Sequence, residues 1–226
     1  PLAVGGEGLE GITYTLPVAS GQVKSAILLA GLFAEGTTTV IEPVASRDHT
    51  EQMLAAFGAE IERSDHGIVL KGKPTLYGQT VQIPGDISSA AFFMAPAAVT
   101  PGSDIVVEKV GLNPTRTGVL DVLQAMGAHI ELENVWNSGG ELQGDVRITG
   151  QALRGITMEG KLIPRLIDEI PIIAVIATQA AGKTVIRDAE ELRVKESNRL
   201  AVLARELGKL GAQMLELPDG LEIVGP

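Results

Sequence analysis

Leu210-Gly211-Ala212-Gln213-Met214 has two counterparts earlier in the chain, Phe57-Gly58-Ala59-Glu60-Ile61 and Met126-Gly127-Ala128-His129-Ile130. Each closes a helical pattern with a Gly and runs on into a new segment. Glycine enters the left-handed conformation that ends a helix without steric penalty, so each pentapeptide predicts a helix C-cap followed by a strand. Upstream of the three caps lie Gly36-Thr37-Thr38-Thr39-Val40, Gly102-Ser103-Asp104-Ile105-Val106 and Gly182-Lys183-Thr184-Val185-Ile186, each a Gly turn leading into a strand. Further upstream, 26–30, 90–98 and 172–177 are apolar nearly all round, as expected of helices enclosed by sheets. Each copy therefore reads as a βαβαββ-like unit, and the chain as an α/β fold with three repeats. Gly and Pro punctuation at Lys71-Gly72-Lys73-Pro74 and Ile83-Pro84-Gly85 predicts a boundary near residue 80, with one copy in 1–80 and two in 81–226.

Composition narrows the function. Hydrophobic residues make up 45% of the 226 and charged residues 20%, the balance of a packed globular chain. The formal charge is -10 and the 18 Lys and Arg are dispersed, which argues against nucleic-acid binding. Aromatic residues are 3%, too few for base-stacking platforms. The absence of Cys excludes a disulfide scaffold, thiolate metal sites and a Cys nucleophile, and the 3 His form no cluster at metal-ligand spacing. Neither a Walker loop nor a dinucleotide fingerprint occurs. Apolar runs such as 170–177 are too short for a bilayer span, so no membrane role is expected and the cytoplasm is the expected location. A chain that starts at Pro1 and stops at Gly225-Pro226 reads as a piece of a longer protein.

Repetition places equivalent helix starts at equivalent places, and a helix start offers free N–H groups and positive dipole to an anion. Ser20-Gly21-Gln22 serves either as a plain cap and turn or as a grip for phosphate or carboxylate. Gly85-Asp86-Ile87-Ser88-Ser89 reads as a cap, because its Asp repels anions, and Asn113-Pro114-Thr115-Arg116-Thr117-Gly118 as a turn into the next helix. Asp168 falls at an expected N-cap with Pro171 in the first turn; it is either that cap or an acceptor for a substrate hydroxyl proton, while Glu169 is expected at the surface. Arg47 and Glu51 are spaced for an intrahelical pair, the alternative being Arg47 as a phosphate clamp supported by His49. Lastly, Arg193-Val194-Lys195-Glu196-Ser197-Asn198-Arg199 concentrates charge where a helix is expected to begin near Val194. That start would put Lys195 and Arg199 on one face with Glu196 beside them, either a solvated ion-paired helix start or the wall of an anion pocket with a proton carrier.

Six motifs in order resemble the 5-enolpyruvylshikimate-3-phosphate synthase family from end to end of the chain: 20–25, 47–51, 84–90, 112–118, 163–171 and 193–199. The forms Arg47-Asp48-His49-Thr50-Glu51 and Asn113-Pro114-Thr115-Arg116 are similar to the bacterial class II subgroup noted for glyphosate tolerance; the family is the glyphosate target. The resemblance implies an inside-out α/β barrel fold. It also implies transfer of the enolpyruvyl group of phosphoenolpyruvate to the 5-hydroxyl of shikimate 3-phosphate, a step of aromatic amino acid biosynthesis, with no metal and no organic cofactor.

By the same resemblance Ser20, Gly21, Gln22, Arg47, Asp168 and Lys195 contact shikimate 3-phosphate, and Gln22 and Arg199 contact phosphoenolpyruvate. Asp168 takes the 5-hydroxyl proton and Glu196 carries a proton at the methylene carbon. Two departures stand out. Ser20-Gly21-Gln22 replaces the subgroup's Ser-Ala-Gln, and the family's N-terminal Lys-Ser pair, further Arg residues and C-terminal cation are absent. The chain is therefore expected to hold one repeat of the family's N-terminal domain and two of its C-terminal domain. It is expected to be inactive alone and prone to associate, although a full-length member would be a monomer. The related UDP-N-acetylglucosamine enolpyruvyltransferase and a noncatalytic binding module of the same repeats are the alternatives.

Overall fold

The computed structural model describes residues 8–226. They divide into two compact units, one of residues up to Gln82 with Asn137–Glu141, the other of Ile83–Trp136 with Leu142–Pro226. The division at 82/83 lies close to the expected 80. The inclusion of 137–141 in the first unit has no counterpart in the Gly and Pro punctuation.

In the first unit the order is β1 (Thr13–Thr15), α1 (Gly21–Gly31), β2 (Thr37–Ile41), α2 (His49–Ala56), β3 (Ile61–Ser64) and β4 (Gly67–Lys71). The four strands form one sheet in the order β1-β2-β4-β3. β1 runs parallel to β2, with Tyr14 opposite Val40, while β4 is antiparallel to both its neighbours. Threonine and β-branched residues in β2 alternate between exposed and buried, and Val40 joins Leu16, Leu28, Leu54, Ile68 and Leu70 in a small core.

In the second unit α3 (Ile87–Val99), β5 (Asp104–Gly111), α4 (Gly118–Met126), β6 (His129–Ser138) and β7 (Glu141–Thr149) form the middle copy, with strand order β5-β7-β6. A single parallel bridge from Gly85 to Val110 stands where a first strand would be. The last copy comprises β8 (Thr157–Met158), α5 (Ile170–Ala177), β9 (Lys183–Ile186), α6 (Arg199–Lys209), β10 (Gln213–Leu217) and β11 (Gly220–Val224). Its order, β8-β9-β11-β10, with β8 parallel to β9, reproduces that of the first copy. The first and last copies are thus complete βαβαββ units, and the middle one has its opening strand reduced to a bridge. Gly58, Gly127 and Gly211, the glycines of the three pentapeptides, have φ of 97°, 112° and 93°, a left-handed conformation that Cβ-bearing residues adopt only with strain.

α3 packs on α5 over a core that includes Met94, Ala98, Leu123, Met126, Ile148, Ile173 and Ile223, all fully buried. The expectation that the apolar helices are enclosed on all sides is corrected. α1 leaves Val23 and Leu29 exposed, with Phe33 just beyond it 73% exposed, and α3 leaves Phe92 and Phe93 exposed. The reason is geometric: one sheet covers one side of a helix, and the described residues of the first unit form one sheet. Among the described residues no helix is long and apolar enough to cross a membrane.

Candidate functional site

In the first unit Ser20 has extended backbone and caps α1, its Oγ accepting from Val23 N at 3.3 Å. Gly21 and Gln22 follow in the first turn, where backbone N–H groups lack intrahelical partners. Arg47 lies against this turn: a methyl group on Gly21 would meet Arg47 Cβ at 3.6 Å and Ser46 Oγ at 3.8 Å. The structure therefore brings Ser20, Gly21 and Arg47 together at one helix start.

The expected Arg47–Glu51 pair is not made. α2 starts at His49 with Asp48 as its cap residue, so Arg47 precedes the helix. Glu51 turns instead to Lys24, 2.8 Å away, because that ammonium is fully buried and takes up nearby carboxylates. His49 Nδ1 sits 2.6 Å from Glu141 Oε1.

In the second unit the helix expected from Val194 begins five residues later. The chain makes a short 3-10 turn at Glu190–Arg193 and enters α6 only at Arg199, with Asn198 Oδ1 accepting from Ala201 N at 3.2 Å. Arg193 holds the segment down: its guanidinium donates to Pro218 O at 2.7 Å, Glu216 Oε1 at 2.6 Å and Leu217 O. Lys195 pairs with Glu191 and therefore does not stack above Arg199 on a helix.

Arg199 is the junction of this site. Its Nε and Nη2 grip both oxygens of Glu196 at 2.9 and 3.0 Å, and its Nη1 lies 3.6 Å from Asp168 Oδ1. A planar guanidinium suits such a two-point contact. The hydrogen bond from Arg199 holds the Glu196 carboxyl below the usual glutamate range, with the charges of Arg199 and Lys195 adding to it. In return Glu196, followed by Asp168, raises the Arg199 pKa against the opposing effect of burial. Asp168, Glu196 and Arg199 are thus brought together at the start of α6.

Two expectations about the start of α5 are corrected. The cap position belongs to Glu169, not Asp168, and the Glu169 side chain makes no capping hydrogen bond. Glu169 is also not at the surface but 2% exposed. It turns inward because Ser88 donates to its Oε1 and Arg116 Nη2 lies 3.9 Å away. Arg116 Nη2 donates in turn to Ser88 Oγ at 2.7 Å and to Asp86 Oδ1 at 3.4 Å. Burial opposes ionisation of Asp86, but N–H and O–H bonds from Ser89, the Ser88 N–H and Arg116 outweigh it and keep its pKa below the usual value. The signal for Glu169 was present in the repeats: aligning the first helical residues Gly21, Ile87 and Ile170 puts Glu169 level with Ser20 and Asp86.

Among the described residues no three His, Asp or Glu converge as a metal site. The family model for EPSP synthase (3-phosphoshikimate 1-carboxyvinyltransferase) matches residues 1–226. A 3-phosphoshikimate 1-carboxyvinyltransferase of Desulforudis audaxviator is 59% identical over 226 residues, covering 100% of this chain and 53% of the relative. One from Gloeothece citriformis is 57% identical over 228 residues, with 51% of the relative covered. The solved EPSP synthase of Acinetobacter baumannii superimposes with a TM-score of 0.90 at 50% identity, over 97% of this chain and 50% of that one. The enolpyruvyl transferase NikO of Streptomyces tendae, at 22% identity and a TM-score of 0.65, shares the fold. The chain spans about half the length of the curated relatives it matches. With the family model matching the whole chain, the chain belongs to the EPSP synthase family.

Proposed function

We propose that the protein of which these residues form part transfers the enolpyruvyl group of phosphoenolpyruvate to the 5-hydroxyl of shikimate 3-phosphate and releases phosphate. The observation that carries this reading is Arg199 gripping Glu196 while facing Asp168, a cation with two carboxylates at one helix start. Addition across the enol double bond needs a base for the attacking hydroxyl, an acid for the methylene carbon, and cations for phosphate and carboxylate. Asp168 supplies the base and Glu196 the proton, with Arg199 and Gln22 binding phosphoenolpyruvate. Ser20, Gly21, Gln22, Arg47 and Lys195 bind shikimate 3-phosphate. When the donor's oxyanions draw Arg199 away, Glu196 loses the hydrogen bond that lowers its pKa, and its affinity for a proton rises. A cytoplasmic, monomeric, cofactor-free enzyme with small-molecule substrates belongs to the same reading, as does placement of one repeat in the family's N-terminal domain and two in its C-terminal domain.

The test is a chimera in which these 226 residues replace the matching stretch of the Desulforudis audaxviator relative. Phosphate release that requires both phosphoenolpyruvate and shikimate 3-phosphate is expected from the chimera and not from the isolated chain. Release that instead follows UDP-N-acetylglucosamine overturns the proposal.

A further inference from the structure

Lys24 is the one lysine of α1, and it is completely buried. Its Nζ lies 2.8 Å from Glu51 Oε1, 3.3 Å from Glu42 Oε2 and 3.5 Å from Ser46 O. The Glu42 side chain is itself only 3% exposed and also accepts from Arg63 Nη2 at 3.2 Å. Its second oxygen accepts from the backbone N–H of Ser46 at 3.1 Å and from the Ser46 hydroxyl. Ser46 is thus bound through its N–H, hydroxyl and carbonyl, all by two buried charges. The next residue is Arg47, packed beside Gly21 one helical turn before Lys24.

Burying these charges is expensive, and a hydrophobic residue at position 24 would hold α1 on its sheet as well. What the charges do, and a hydrophobic residue could not, is hold one loop residue at three points, two of them on its backbone. We propose that Glu42, held by Lys24, is a positioning residue that fixes the 42–47 loop against α1 and so sets the Arg47 guanidinium at the phosphate-binding helix start. It acts through Ser46 and touches no substrate. The inference rests on the proposed role of Arg47, and the test separates the two.

The first measurement is amide hydrogen exchange in the 226-residue chain. Glu42→Gln is expected to speed exchange at Ser46 and Arg47 by about tenfold or more while amides of β2 and β4 keep their protection. The second uses the chimera. Glu42→Gln and the milder Ser46→Ala are expected to raise the KM for shikimate 3-phosphate about tenfold and a few-fold, with kcat and the KM for phosphoenolpyruvate little changed. Arg63→Gln removes an ion pair from the same carboxylate without touching Ser46, and is expected to leave both constants as they were. Should Glu42→Gln not fold, Ser46→Ala carries the same comparison. Unchanged exchange at Ser46, or equal effects of Ser46→Ala and Arg63→Gln on KM, overturns the positioning role. A chimera inactive before any substitution overturns the function of Arg47, and the exchange result then stands for the loop alone.

Discussion

Glu169 and Arg116 face each other across the Ser88 hydroxyl, which accepts from Arg116 at 2.7 Å and donates to the Glu169 carboxylate. This links the start of α3, the loop before α4 and the start of α5, one residue from Asp168. Arg116 is largely buried and Glu169 almost completely so.

Removing one member strands the other charge, which costs about 3 kcal/mol when a buried pair is broken. Arg116→Ala and Glu169→Ala are expected to lower the stability of the second unit by that order, measured by denaturant unfolding. Arg205→Ala, at an exposed pair on α6, should change it by less than about 0.5 kcal/mol. Equal small effects at all three sites would argue against a buried network.

Gly21 carries no conformational demand for glycine, since its φ is not among the positive values and an added methyl meets only ordinary contacts at 3.6 to 3.8 Å. Gly21→Ala should therefore stabilise the chain by about 0.5 kcal/mol through the unfolded state. A lowered unfolding midpoint would show that the turn needs the glycine.

The Glu196 pKa is lowered first by its hydrogen bond to Arg199. Because the folded value lies below the unfolded one, the interaction is fully present above the ordinary glutamate range and is lost as pH falls through the folded pKa. Carboxyl-resolved NMR titration should place the Glu196 midpoint below that range, and Arg199→Ala should return it upward. A midpoint that ignores Arg199→Ala would separate the two residues in solution.

In the chimera, Asp168→Asn keeps the shape but removes the proposed base, and a fall in kcat of about 100-fold or more is expected. Arg199→Lys keeps charge and loses the fork, so it should raise the KM for phosphoenolpyruvate. Steady-state kinetics with both substrates varied decide each case; near-normal kcat for Asp168→Asn would remove it from proton transfer.

Local signals made much of the fold legible. Gly58, Gly127 and Gly211 announced their caps because a left-handed residue is a local requirement, and Ser20 and Asp86 announced theirs because capping is a contact within three residues. The candidate site residues were legible as a set through the order of motifs, but their local settings were not. Lys195 and Arg199 looked four apart on a helix, yet Arg193 spends its hydrogen bonds on the turn at Leu217 and Pro218 and delays α6. Glu51 looked like the partner of Arg47, yet a lysine from α1 claims it. Glu169 looked like surface because Ser88 and Arg116, which bury it, lie 81 and 53 residues away. What the sequence could not convey in each case was a tertiary partner.

The strand order of the copies also decides how each sheet ends. Because the last strand of every copy inserts beside the second, β3, β6 and β10 are outer strands of their sheets among the described residues. All three carry charge there: Glu62 and Arg63 on β3, Glu131 and Glu133 on β6, Glu216 on β10. Charged side chains on such strands discourage another sheet from adding on. Charge on these three strands thus guards one edge of each sheet against amyloid-like growth, while β1 and β8, the outer strands at the opposite edges of the first and last copies, carry none.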